Sequence, residues 1–242
     1  MKILVLFDID GTILKFKHSL AKRLFAELLE DLFGVNIPDN AIPDFHGMTD
    51  LQIIKAISKN IDFPIDKTFE LIPEIWKRML LSFQTYTTTE NINLLPGVQE
   101  IIVNLDNDPR FALGLLTGNF YENAYLKLKA VNLDRYFQFG AFGSDSDDRN
   151  QLPPIAISRA KEYFRFEFDF DNTNTIIIGD THRDEECARL NNIACICVAT
   201  GHQSYDELNL LKPDAVFRDL SQTDIIKNTI IELINEKNNN CN

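Results

Sequence analysis

Basic residues are scarce in this chain: 24 Lys plus Arg stand against 36 Asp plus Glu over 242 residues, a formal charge of -12. So few cations exclude a basic, phosphate-coating nucleic-acid binder. Long apolar runs are also missing. The longest, such as residues 3–7 and 175–179, fall far short of the roughly 18 residues a membrane helix needs, and no membrane partner is expected. The first of these runs is too short for a signal peptide and is interrupted by Asp8 and Asp10, so the expected compartment is the cytoplasm. Cysteine is limited to Cys187, Cys195, Cys197 and Cys241, with no CxxC pair, which fits that compartment. Cys195 and Cys197, two apart in an apolar run, read as one face of a buried strand rather than as metal ligands. Glycine and proline number only 10 and 9, against 45% hydrophobic and 25% charged residues. That composition excludes global disorder and leaves enough chain for one large domain or two smaller ones.

The apolar run Ile3 to Phe7 stops at Asp8, as a strand buried on both faces would. Similar runs recur at 111–116, 139–142, 175–179 and 194–199, with a last short strand near 215–217. Stretches of helical spacing alternate with them at about 97–108, 121–131, 153–165, 183–191 and 221–235. This alternation predicts an α/β fold with a doubly wound parallel sheet. Between Leu14 and Asn93 no buried-strand run is visible, and apolar residues recur at helical intervals: Leu20, Leu24, Leu28, Leu32, then Leu71, Ile75, Met79, Phe83. The expected division is therefore a core of residues 1–14 and 94–242 with a helical module, residues 15–93, inserted after the first strand. Segments 11–17 and 91–97, the latter with Pro96 and Gly97, read as its hinges, and residues 238–242 as a frayed tail.

Asp8-Ile9-Asp10-Gly11-Thr12 follows the first strand directly and delivers two carboxylates to the sheet edge where open α/β sheets bind ligands. The pattern DxDGT arises by chance in roughly a few of every thousand chains of this length. Two Asp residues two apart on an extended segment point in different directions, so one can attack while the other moves protons. Hard oxygen ligands at that spot suit Mg²⁺, and a carboxylate is an established nucleophile for phosphoryl transfer. Gly11 lets the backbone approach a phosphate. The alternative, that the pair only caps a loop, leaves two repelling carboxylates without a cation. Thr117, Gly118 and Asn119 follow the second strand run at the same edge, where a hydroxyl beside backbone N–H groups suits phosphate oxygens; the triplet reads equally as a turn and helix cap. After the 175–178 run come Gly179, Asp180 and Asp184. Asp180 completes a magnesium site with Asp8 and the Asp10 carbonyl, while Asp184 holds ligand or metal-bound water, or sits favourably in a helix's first turn.

The set Asp8-x-Asp10-Gly11-Thr12, Thr117, and Gly179-Asp180-x-x-x-Asp184 resembles the haloacid dehalogenase superfamily across nearly the whole chain, with three of its four motifs in order. The helical insert resembles that superfamily's C1 cap. The DxDGT form is similar to its phosphatases, since the dehalogenases lack the second Asp. The resemblance implies Asp8 as nucleophile and Mg²⁺ ligand, Asp10 as general acid then base, Thr117 as phosphate clamp and Asp180 as metal ligand. The remaining motif, normally a Lys, is absent: residues 147–154 read DDRNQLPP, with no Lys before Lys161. Arg149 is the best-placed substitute, although a planar fork is not equivalent to an ammonium; the competing assignment is a surface salt bridge with Asp147 or Asp148. In the insert, His46-Gly47-Met48-Thr49-Asp50 resembles the loop that phosphoglycolate phosphatase-like enzymes lower onto substrate, and reads equally as a helix N-cap. His182 and Arg183 face the site mouth if their turn is tight, or Arg183 pairs with Glu186.

The expected function is hydrolysis of a small phosphorylated metabolite by a Mg²⁺-dependent phosphatase through an aspartyl-phosphate. A phosphomutase would use the same residues. A receiver-type signalling domain is about half this length and has no helical insert. A phosphate-binding module without activity is the remaining alternative, favoured if Arg149 does not reach the site.

Overall fold

The computed structural model describes residues 2–16 and 20–240, without the side chains of residues 20, 21 and 240. Lys17 at the first expected hinge, Cys241 and Asn242 in the expected tail, and the Leu20 side chain in the expected helical stripe lie outside the described residues. The chain begins with β1 (Ile3–Phe7), β2 (Leu14–Phe16), α1 (Leu20–Phe33), α2 (Asp50–Asn60), α3 (Ile65–Tyr86) and β3 (Ile92–Leu94). It continues through α4 (Val98–Asp106), β4 (Phe111–Leu116), α5 (Tyr121–Ala130), β5 (Gly140–Ala141), α6 (Leu152–Tyr163), β6 (Thr175–Gly179) and α7 (His182–Leu190). It closes with β7 (Ala194–Val198), α8 (Tyr205–Leu210), β8 (Ala215–Phe217) and α9 (Thr223–Asn240).

Six parallel strands form one sheet in the order β5-β4-β1-β6-β7-β8. β1 sits inside it, in register with β4 at Ile3 and Phe111 and with β6 at Leu4 and Thr175. Its five residues are buried on both faces, which is why they read as an unbroken apolar run. Ile3, Val5 and Phe7 pack into an apolar cluster with α4, α5 and α9, while Leu4 and Leu6 pack on the other face with α6, α7 and α8. Cys195 and Cys197 both belong to this second cluster, as their spacing predicts. The fold is therefore the α/β doubly wound parallel sheet that the strand–helix alternation predicts.

A third apolar cluster lies among α1, α2 and α3, where Phe25, Leu29, Ile54, Ile57, Ile75 and Phe83 meet. Phe120, at the start of α5, enters the same cluster from the sheet side. The stretch 15–93 is not wholly helical, however. β2 and β3 pair antiparallel, Leu14 opposite Leu94 and Phe16 opposite Ile92. Each has three residues, of which one is buried, so neither leaves an apolar run to read. Two further expectations change: the strand at 139–142 shortens to Gly140–Ala141, and the C-terminal helix continues through Asn240 in place of fraying at 238. No helix among the described residues is long and apolar enough to cross a membrane.

Candidate active site

Because the six strands are parallel, the ends of β1, β4 and β6 open on one edge, and each is followed by a polar residue. Asp8, 5% exposed, leaves β1 with its N–H donating to the Ile178 carbonyl at 3.0 Å. The chain then turns back sharply, the amides of Thr12, Ile13 and Leu14 all donating to the Ile9 carbonyl. Gly11 takes φ +90° in this turn, and a Cβ there would lie 2.2 Å from Asp180 Oδ2. Glycine thus meets both a left-handed backbone and the close approach of Asp180. Thr12 is buried and its hydroxyl donates to Asp180 Oδ1 at 3.1 Å.

Asp8, Asp180 and Asp184 bring carboxylate oxygens within 4.8 Å of one another, all buried. Burial pushes the Asp8 carboxyl up to about 7, Arg149 pulling against it and Asp184 and Asp10 adding to it. Burial likewise holds Asp180 well above the ordinary carboxylate range, with Asp184 and Asp8 reinforcing the effect. One guanidinium answers the three. Arg149, 4% exposed in the 3₁₀ turn 149–151, places Nη2 at 3.3 Å from Asp8 Oδ1 and 2.5 Å from Asp184 Oδ1. Burial opposes its charge, but Asp184 and Asp8 outweigh that and hold its pKa above the ordinary value. The other oxygen of Asp184 accepts from Thr181 N at 3.0 Å and Thr181 Oγ1 at 2.6 Å, capping α7. Three carboxylates against one cation form a hard, net-negative oxygen set, which fits a divalent metal such as Mg²⁺.

The surface salt bridge considered for Arg149 does not form. Asp147 pairs with Lys55, and the Asp148 side chain caps the turn at Asn150 N. Lys161 is occupied with Asp169 at 2.9 Å. Arg183 reaches neither Glu186 nor the cavity: its Nε donates to the His46 carbonyl at 3.2 Å.

Asp10 faces a different set. Lys127 on α5, only 4% exposed, donates to both of its oxygens at 2.8 and 2.6 Å and to Asn119 Oδ1 at 2.5 Å. Asn119 Nδ2 donates to Asp10 Oδ2 and to Thr117 Oγ1, both at 2.7 Å. The Thr117 hydroxyl is thus an acceptor here, and its own proton is left for a ligand. The sequence reading missed Lys127. Its signal was positional: Phe120, Ala124 and Leu128 make the buried stripe of α5, and Asn123 and Lys127 stand inside that stripe. A Lys on a buried helix face requires a carboxylate opposite it.

The loop 44–50 closes over this edge. The Asp50 N–H donates to the Gly118 carbonyl at 2.8 Å and its carboxylate accepts from Phe120 N at 2.7 Å. A Cβ on Gly118 would lie 2.1 Å from the Met48 carbonyl, so only glycine admits the loop this closely. A cavity of 150 Å³ remains between loop and sheet edge. Of the expected site residues, Asp8, Asp10, His46, Gly47, Thr117, Gly118, Asn119 and Arg149 line it. Gly11, Thr12, Thr49, Asp180 and Asp184 do not. Thr49 is fully buried, its hydroxyl accepting from Gln52 N and donating to the Asp147 carbonyl, both at 3.1 Å. It caps α2 and has no proton left to donate to a phosphate oxygen. His46 is half turned away, paired with Asp44 and stacked on His202 at 4.3 Å between ring centroids.

A parallel sheet with an acidic cluster at its C-terminal edge, closed by a helical module, defines a class of hydrolases. The model of the haloacid dehalogenase-like hydrolases matches residues 5–198, and the chain belongs to that family. Solved structures agree in fold. A predicted phosphatase from Clostridium acetobutylicum is 19% identical, with 96% of this chain and 99% of that one covered at a TM-score of 0.68. A beta-phosphoglucomutase from Clostridium difficile is 18% identical over 97% and 99% of the chains, TM-score 0.70. A predicted phosphoglycolate phosphatase from Haemophilus somnus is 19% identical over 94% and 98%, TM-score 0.65. No curated protein sequence matches the chain.

Proposed function

We propose that this protein is a Mg²⁺-dependent phosphatase that hydrolyses a small phosphorylated metabolite through a phosphorylated Asp8. The observation that carries the reading is the pairing of two Asp residues with two separate buried cations. Asp8 lies against Arg149 and Asp10 against Lys127. The first pair suits attack on phosphorus, since Arg149 both aims Asp8 and offsets the phosphate's charge. The second pair suits proton transfer: Lys127 and Asn119 hold the Asp10 carboxyl at the cavity wall, ready to give a proton to the leaving oxygen and then take one from the attacking water. Thr117 Oγ1 and the backbone at Gly118 would bind the phosphate oxygens. Mg²⁺, held by Asp8, Asp180 and the Asp10 carbonyl with Asp184 orienting the set, would neutralise phosphate charge and favour attack. Within this reading residues 1–14 and 94–242 are the catalytic core and 15–93 a cap, which the separate apolar cluster of α1–α3 supports. The three described cysteines, buried and unpaired, accord with a reducing cytoplasm.

The test is release of inorganic phosphate from a panel of phosphomonoesters with and without Mg²⁺, on the wild type and on Asp8→Asn. Metal-dependent turnover that Asp8→Asn abolishes in a folded protein is the expected result. Appreciable turnover in freshly purified Asp8→Asn would remove the nucleophile, because an amide cannot form the acyl phosphate.

A further inference from the structure

The wall of the cavity facing away from Asp8 is apolar, built from Phe25, Phe45, Met48, Ile53 and Phe83. Each cation lining it is already paired among the described residues. Lys127 directs its three N–H groups to the two oxygens of Asp10 and to Asn119 Oδ1. Arg149 is held by Asp8 and Asp184 through Nη2, while its buried Nε has no partner. Asp50 adds a buried carboxylate to the same lining. An anionic group entering beyond the reacting phosphate would meet an apolar wall and only cations already held by carboxylates.

Asn123 departs from this economy at both ends of its amide. It is 2% exposed and lines the cavity, yet neither its amide nitrogen nor its amide oxygen has a partner. Buried amides are nearly always hydrogen-bonded, and leaving both atoms unmatched is costly. A ligand group that accepts and donates at once would satisfy both.

Resting on the phosphatase reading, we propose that Asn123 determines specificity and that the substrate is a phosphomonoester of an uncharged, mainly apolar alcohol carrying one hydroxyl or amide group. The apolar wall takes the body of the alcohol and the Asn123 amide takes its polar group. Carboxylated alcohols and sugars already bearing a second phosphate are rejected, which sets this site apart from both a phosphoglycolate phosphatase and a mutase of bisphosphorylated sugars.

The experiment compares butyl phosphate, 4-hydroxybutyl phosphate and 3-carboxypropyl phosphate, with p-nitrophenyl phosphate reporting whether the chemistry occurs at all. The hydroxylated ester is expected to exceed butyl phosphate in kcat/KM by about tenfold, and the carboxylated ester to fall about a hundredfold or more below it. Asn123→Leu should remove the hydroxyl preference through KM with little change in kcat. Equal use of the carboxylated ester, or a hydroxyl preference that survives in Asn123→Leu, overturns the proposal while leaving the phosphatase reading intact. If p-nitrophenyl phosphate and the three esters are all inert, the phosphatase reading fails instead. Calorimetric titration of the same esters then decides: binding in the same order upholds Asn123 as the selector, and no binding or a reversed order overturns it.

Discussion

Arg149 has no solvent with which to share its charge, so its partners bear the consequence of its loss. Arg149→Ala leaves Asp8 and Asp184 facing each other across a buried gap, and breaking a buried pair on one side costs about 3–5 kcal/mol. Urea unfolding should show that loss, and kcat/KM should fall by two or more decades. Arg149→Lys should recover part of the activity, because the charge returns without the fork; near-wild-type kinetics in Arg149→Ala would mean another cation serves Asp8. Lys127→Met tests the second pair. Asp10 would lose both bonds from Nζ, and kcat on alkyl phosphates should drop by roughly 10- to 100-fold. Aryl phosphates need little leaving-group protonation, so their loss should be smaller; equal losses on both ester types would separate Lys127 from the proton-transfer step. Asp8, Thr117 and Asp180 were legible in the sequence because each directly follows a strand, and Asp10 because it stands two residues beyond Asp8. Lys127 lies in the last turn of α5, 117 residues from Asp10, and no spacing rule joins them.

At the scale of elements, α2 is tied to the sheet edge by its first turn. The Thr49 capping box starts the helix, and Asp50 then gives its N–H to Gly118 and takes that of Phe120. Burial pushes the Asp50 carboxyl from 3.8 to about 7; Lys127 and the Phe120 amide pull it back, and Asp10 adds slightly to the rise. The sign follows from the protons each state holds. Between about pH 4 and pH 7 the unfolded chain has released this proton and the folded one retains it, so Asp50's contribution falls as pH rises through that window. It is fully present below about pH 4 and lost above about pH 7. The stability difference between wild type and Asp50→Asn should therefore decline across the window, by at most about 1.4 kcal/mol per pH unit. Thermal or urea unfolding at several pH values reads it, and a flat difference would place the proton elsewhere. The β2–β3 ribbon shows the converse of legibility: two three-residue strands with one buried residue each carry too little pattern to be read before their pairing is known.

Across the whole molecule, β1 and β6, more than 100 residues apart, and the first turn of α7 deliver Asp8, Asp180 and Asp184 to one buried cluster. Mg²⁺ at saturating concentration should stabilise the fold by RT ln(1 + [Mg²⁺]/Kd), about 2.7 kcal/mol at a hundredfold excess over Kd. For a protein of this size that is a rise in Tm of roughly 5–10 °C. Asp180→Asn should abolish most of the shift, and the shift should shrink below about pH 7, where Asp8 takes up its proton. Differential scanning calorimetry with Mg²⁺ and with chelator checks both, and an equal shift in Asp180→Asn would move the metal away from this cluster. By itself the sequence determined the strand–helix alternation, the parallel sheet and the acidic ends of β1 and β6, because burial on both faces and the residue that stops each run are local properties of the chain. Only the tertiary structure decided which cation answers which carboxylate, that Thr49 is spent on capping a helix while Asp184 caps with one oxygen and holds Arg149 with the other, and that Asn123 stands unpaired in a cavity whose far wall is apolar. Those outcomes depend on which helix face meets which loop across the sheet edge, and a linear pattern carries no record of that meeting.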